Sequence, residues 1–305
     1  MPVTDSIKYL PQQEIDKLKW DACITKAANG LVYGFSFYLD HMARHWDALV
    51  LNDYEAVLPL TWNKKYSIYY LYQPFLCAQL GVFGNAITKE RLQQFLEVIP
   101  RKFRYWDISL NHQNRLPVSY PLTERVNYVL DLSPGYDELY KGYRDTTKRN
   151  IRKAVQLQCR TERNIEAAAV IELAAQQLKT YADIKIDFEN FSQLYALLQA
   201  QQKATTYGII GANGQLLASC VFFFSHQRAY YILVGNHPNG KTVGASHALI
   251  DAFIKDHAGQ PLLLDFEGSD IRNLAFFYSS FGAVEEKYAA VKLNRLPFYL
   301  KWLKQ

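Results

Sequence analysis

The chain has 305 residues, room for about two domains of ordinary size. Apolar residues make up 49% and charged residues 21%, which supplies a full core and excludes a disordered chain. A net charge of +5 permits an anionic ligand without requiring nucleic acid, and no run approaches the roughly 18 apolar residues of a membrane span.

The first residues, Met-Pro-Val-Thr-Asp-Ser-Ile-Lys, lack a basic start followed by an apolar block, so no signal peptide is expected. A meander is predicted next: strands over 48–51, 54–62 and 66–74, with turns at Asn52-Asp53 and Asn63-Lys64-Lys65. A helix from about Lys89 to Phe103, a strand over 105–110 and a closing strand over 126–132 follow. Ser133-Pro134-Gly135 breaks the chain and starts a helix to about Val155. Helices over 165–181 and 188–202 come after it.

The first pattern then returns. Strands over 207–210, 216–224 and 229–234 are joined by turns at Ala212-Asn213-Gly214 and Ser225-His226-Gln227. A helix over 243–257 leads to strands over 262–266 and 288–293. Such a repeat predicts an α/β (α+β) chain of two tandem copies, 1–132 and 133–305. Each copy is expected to be a mixed, mostly antiparallel sheet flanked by helices.

Cys23, Cys77, Cys159 and Cys220 are scattered, without metal-ligand or disulfide spacing, and read as buried thiols of a cytoplasmic protein. The seven histidines show no ligand spacing with carboxylates either, so no metal is expected. Hydrolase elbows and P-loops are absent.

Three stretches carry candidate chemistry. Gly235 to Ser246 precedes a helix start, where unpaired N–H groups and a partial positive charge suit a phosphate. Gly240 and Gly244 would admit a pyrophosphate, with Lys241 adding charge. A flexible connection capped by Thr242 or Ser246 is the plainer reading. Asp265 and Glu267 end a buried strand on one face at period two, where a carboxylate can serve as general base; either can also cap the following helix. The stretch from Lys141 to Arg163 holds eight Lys/Arg against two acids. Its Lys148, Arg149 and Arg152 are candidates to bind the phosphates of a lipid-linked substrate, a CoA or a tRNA acceptor arm, against a plain solvated face.

The run Tyr230 to Val234, the loop to Ser246 and the helix after it resemble the acyl-donor site of GNAT-fold N-acyltransferases. The stretch Asn273 to Ala283 resembles that family's Asn…Ala…Tyr…Gly element, with Asn273 five residues before Tyr278 rather than the usual seven. Tandem copies, the Lys-Arg-Asn-Ile-Arg-Lys-Ala helix and Asp265-Phe266-Glu267-Gly268-Ser269 are similar to the Fem-type subgroup of peptidoglycan-bridge aminoacyltransferases. The resemblance implies GNAT-like domains and acyl transfer from a thioester such as acyl-CoA to a small-molecule or lipid-linked amine. Aminoacyl-tRNA is the alternative donor, and peripheral membrane contact is compatible with either.

It also implies a donor site of Leu233, Val234, Gly235, Gly240, Lys241, Gly244, Ala245, Ser246 and Asn273. Asp265 or Glu267 would take the amine's proton and Tyr278 would protonate the leaving group. In the first copy, Gln73 to Gly84 occupies the donor loop's place without a basic residue, so that copy is expected to bind the acceptor or serve the structure. A non-catalytic binding module on the same fold is the rival from another class.

Overall fold

The computed structural model describes residues 6–115, 117–179, 188–268 and 270–298. In chain order the elements begin with β1 (Ile7–Leu10), α1 (Lys17–Lys26), α2 (Ser36–Met42), β2 (Trp46–Leu51), β3 (Ala56–Lys65) and β4 (Ile68–Tyr72). Next come β5 (Phe83–Gly84), α3 (Lys89–Glu97), β6 (Phe103–Ser109) and β7 (Leu122–Asp131). Then follow α4 (Tyr136–Lys141), α5 (Asp145–Gln156), β8 (Arg160–Arg163), α6 (Ala167–Lys179) and α7 (Phe188–Ala200). The last are β9 (Ala204–Ile210), β10 (Leu216–Ser225), β11 (Arg228–Asn236), α8 (Pro238–Val243), α9 (Ala245–His257), β12 (Leu263–Asp265), α10 (Arg272–Ser279) and β13 (Val284–Asn294). The fold is a mixed α/β arrangement of mostly antiparallel sheet flanked by helices.

Contacts divide the chain into two compact units, 1–126 with 287–305, and 127–286. In the first, β1, β2, β3 and β4 run antiparallel in that order; β4 then pairs parallel with β6, and β6 antiparallel with β13. The second unit has the matching order: β8, β9, β10 and β11 antiparallel, β11 parallel to β12, and β12 antiparallel to β7. The closing strands are therefore exchanged relative to the sequence reading. Val129–Asp131 pair with β12, and Ala290–Asn294 pair with β6. The units consequently part at Val126 and Glu286 rather than at Leu132.

The core of the first unit gathers Leu58, Leu71, Phe95, Phe103, Trp106 and Val291, all almost fully buried. Its stretch 73–84 is tied down by its own polar groups. Gln73 Nε2 donates to Cys77 O, Ser109 N to Gln73 Oε1, and Val82 N to Asn114 Oδ1. In the second unit α9 packs on one sheet face, where Phe253 stacks on Phe222 at 3.7 Å between centroids. α6 and α7 lie on the other face, where Phe191 stacks on Phe223. The single helix expected over 136–155 is two, because the chain turns at Gly142 and Tyr143. Leu139, Tyr143, Thr147 and Ile151 of this stretch are all buried. Tyr181, within the helix expected over 165–181, lies outside the described residues. No helix among the described residues is long and apolar enough to cross a membrane.

Candidate active site

Strand β11 is paired with β10 along Arg228–Asn236 but with β12 only at Arg228, Ala229 and Tyr230. β12 ends at Asp265, so β11 runs on past its parallel neighbour. Opposite β10 the register slips between Val221 and Phe222, leaving Ile232 as an extra residue on β11. Such a bulge bends a strand and re-aims its side chains. Tyr231, Val234 and Asn236 consequently line a cleft of about 400 Å³.

Helices complete its walls. Gly240 and Lys241 of α8, then Gly244, Ser246 and His247 at the start of α9, form one side. Leu274, Phe277 and Tyr278 of α10 form another, and Gln177 of α6 a third. Gln177 Oε1 accepts from Asn236 N at 2.7 Å, and Ser246 Oγ donates to Asn236 Oδ1 at 2.6 Å, which fixes that corner. An adjoining space of about 490 Å³ shares Gln177, Asn236 and Lys241 with the cleft.

The loop expected over 235–246 holds a short helix followed by a left-handed cap. His237 caps α8, Pro238 takes the first helical position, and Gly244 adopts φ +79 before α9 begins. The two glycines accommodate the protein itself rather than a diphosphate. A Cβ on Gly240 would stand 2.3 Å from Leu217 O, and one on Gly244 2.4 Å from Asn150 O. Their amides are bonded as well, Gly240 N to His237 O and Gly244 N to Gly240 O.

Of the expected donor residues, Val234, Gly240, Lys241, Gly244 and Ser246 meet in the cleft. Leu233 and Ala245 are buried away from it, Gly235 packs on the α6 backbone at Ala174, and Asn273 is exposed on α10.

The two carboxylates part company. Asp265 is buried, and its carboxylate accepts from Arg228 Nη1 at 2.7 Å, Asn127 Nδ2 at 2.9 Å and Glu267 N at 2.9 Å. Arg228 also bonds Glu286, so Asp265 belongs to a buried ion-pair cluster. With three donors on its two oxygens, that carboxylate is already occupied and is not turned toward an incoming amine. Glu267 is half-buried at φ +68, a backbone state that costs a non-glycine residue about 1–3 kcal/mol. Its charge reaches Tyr278. Burial first, and the Glu267 carboxylate second, push the Tyr278 phenol above its ordinary value. The phenol is thus protonated at neutral pH, with Phe266 stacked on its ring at 4.6 Å.

Lys148, Arg149 and Arg152 all lie on α5. Lys148 Nζ donates to Lys141 O, whereas Arg149 and Arg152 are exposed.

Gln177, Tyr231, Asn236, His247, Leu274 and Phe277 are cleft residues that sequence reasoning missed. For Tyr231 and Asn236 the signal was their place on the strand carrying Val234, and for His247 its place beside Ser246. Gln177 comes from a distant helix and carries no local signal. His247 stands edge-on to Phe277 at 4.8 Å, and its Nε2 lies 3.3 Å from Asn150 Nδ2. Burial lowers its pKa from 6.5 to about 4. The unfolded chain therefore takes up this proton first as pH falls, and folding stability drains away between about pH 6.5 and 4. We expect melting temperature to fall over that window more steeply in the wild type than in His247→Gln. Parallel curves for the two proteins would remove His247 as the cause.

Among the described residues no group of three His, Cys, Asp or Glu is placed to hold a metal ion. No family model matches the chain, and no curated protein matches it by sequence. Solved structures do. The crystal structure of FemX superposes with a TM-score of 0.66 at 13% identity, over 97% of this chain and 99% of that one. A tandem GNAT protein from the clavulanic acid biosynthesis pathway gives 0.51 at 10% identity, over 96% and 99%. L-PGS from Bacillus licheniformis gives 0.52 at 8% identity, over 85% and 87%. The chain is thus similar in fold, along nearly its whole length, to FemX and to a tandem GNAT protein.

Proposed function

We propose that this protein is an N-acyltransferase that moves an acyl group from a thioester to an amine in the cleft between β11, α9 and α10. The observation that carries the reading is the early end of β12, which opens the sheet beside Tyr231–Val234 and sets Tyr278 against the opening. Amides on an unpaired strand edge polarise a carbonyl as its oxygen gains charge. The amine nitrogen attacks the thioester carbon, the C–N bond forms and the C–S bond breaks. Glu267, which acts on Tyr278 from outside the cleft's lining, receives the amine's proton through a bridging water; Tyr278 gives a proton to the departing sulfur, and the Glu267 carboxyl returns one to Tyr278.

Aminoacyl transfer from tRNA, the alternative, fits the cleft less well. An aminoacyl group carries an ammonium, and no Asp or Glu is among the cleft's lining residues. Lys241 and a neutral His247 are the ionisable groups there besides the tyrosines. The rest of the reading follows from the repeat: two GNAT-like units, 1–126 with 287–305 and 127–286, of which the second, which holds the cleft, is catalytic and the first structural or acceptor-binding. Four cysteines without a disulfide suit a cytoplasmic location.

The test is thiol release from an acyl-CoA over a panel of amines, together with a melting-temperature scan against the same thioester. Release with at least one amine is expected. Neither release nor a thermal shift with any thioester would return the cleft to a binding module. Lys241→Ala is expected to weaken the donor by about 1–3 kcal/mol, the worth of a hydrogen bond to a charged group, as read by titration calorimetry. An unchanged dissociation constant would remove Lys241 from the donor site.

A further inference from the structure

We propose that the thioester arrives on an acidic acyl carrier protein, which docks on the exposed basic face of α5 and threads its phosphopantetheine arm past Lys241 into the cleft. This rests on the acyl-transfer reading of that cleft. Three observations lead to it.

First, the place where a free coenzyme's diphosphate would be strapped is filled. Gly240 N and Gly244 N are bonded within the chain, and the carbonyls of Leu217 and Asn150 press on the two glycines. What remains is one exposed cation, Lys241, at the cleft wall. A lone ammonium matches the single phosphodiester of a carrier-bound arm.

Second, the cleft's exposed surface is mainly apolar, formed by Tyr231, Val234, Leu274 and Phe277, with no carboxylate among its lining residues. It suits an uncharged acyl chain.

Third, α5 presents Arg149, Arg152 and Lys153 on one exposed face, at spacings of three and four residues. Among the described residues none of the three is held in an ion pair. From 141 to 153 there are six Lys/Arg and one acid, Asp145. A concentrated, unpaired positive face complements an acidic helix. The buried side of α5 is fastened to the cleft itself, since Asn150 touches both Gly244 and His247. A carrier seated on Arg149 and Arg152 therefore sits on the helix that packs against the α8–α9 wall of the cleft. The chemistry is unchanged: the amine displaces the arm's thiol, which leaves protonated on the carrier.

The experiment measures fluorescence anisotropy of labelled acyl carrier protein loaded with an octanoyl chain, against octanoyl-phosphopantetheine alone, with wild type and the triple variant Arg149→Glu, Arg152→Glu, Lys153→Glu. All three side chains are exposed, so melting temperature should hold and is checked first. The loaded carrier is expected to bind the wild type tighter than the arm does, and about tenfold or more weaker to the variant, with strong salt dependence. The arm alone should bind both alike. A carrier no tighter than its arm, or one indifferent to the triple reversal, overturns the proposal. So does loss, in the variant, of binding to tRNA or anionic vesicles when the wild type ignores the carrier. If the arm and acyl-CoA neither bind nor react, the acyl-transfer reading has failed instead.

Discussion

Replacing Arg228 with methionine is expected to destabilise the protein by about 3–5 kcal/mol, the cost of leaving buried charge without its partner. Its guanidinium holds two carboxylates at once, Asp265 at 2.7 Å and Glu286 at 3.0 Å from Nη1, and little of its side chain is exposed. Methionine fills the volume but leaves both carboxylates facing each other and Asn127. Chemical denaturation measures this directly, and a loss below about 1 kcal/mol would be the value of an exposed pair instead. Asp265→Asn separates the two roles considered for that residue. It should lower stability, by about 1–3 kcal/mol for a disrupted charged hydrogen bond, yet keep kcat per folded molecule. A large fall in kcat at temperatures where the variant is fully folded would make Asp265 the base after all.

What was legible in the sequence follows from which forces are local. β10 and β11 were readable because apolar runs flank Ser225-His226-Gln227, where His226 and Gln227 both adopt positive φ. The exchange of closing strands was not readable. Val126–Leu132 and Tyr288–Leu293 are equally apolar, and nothing local states which sheet edge each will join. α8 was obscured by Asn239-Gly240, which reads as a turn, although Pro238 after His237 is a helix-start signal.

The two carboxylates show how one backbone angle decides a site. Period two placed Asp265 and Glu267 on one face, which holds only while the strand continues. β12 stops at Asp265, and Glu267 turns to φ +68. One carboxylate therefore points into an ion pair, and the other acts on Tyr278. The basic face of α5 was legible because charge at helical spacing is a local property. Its neighbour His247, tuned by burial contributed from other elements, was not.

Glu267→Gln is expected to slow turnover by about 100-fold or more, within the range usual for loss of a positioned proton acceptor. The substitution keeps size and hydrogen-bonding shape, so donor affinity should stay close to that of the wild type. Two consequences separate this from simple disturbance of the strained backbone. First, Tyr278 loses a neighbouring negative charge, so its phenol, raised by burial and by Glu267, should titrate lower in the variant, as ultraviolet difference spectra of the phenolate would report. Second, Glu267→Gly relaxes the φ +68 backbone and should stabilise the fold while abolishing turnover equally well. Activity restored or kept in the glycine variant would mean the carboxylate takes no part, and proton removal would then pass to solvent through the open cleft. A fall in donor affinity matching the fall in kcat/KM would place Glu267 in binding rather than in the proton transfer. Tyr278→Phe completes the set: the ring that stacks on Phe266 is kept, only the hydroxyl is lost. Its effect should be largest with thiols of high pKa, which most need a proton as they leave, and should fade with more acidic thiol leaving groups.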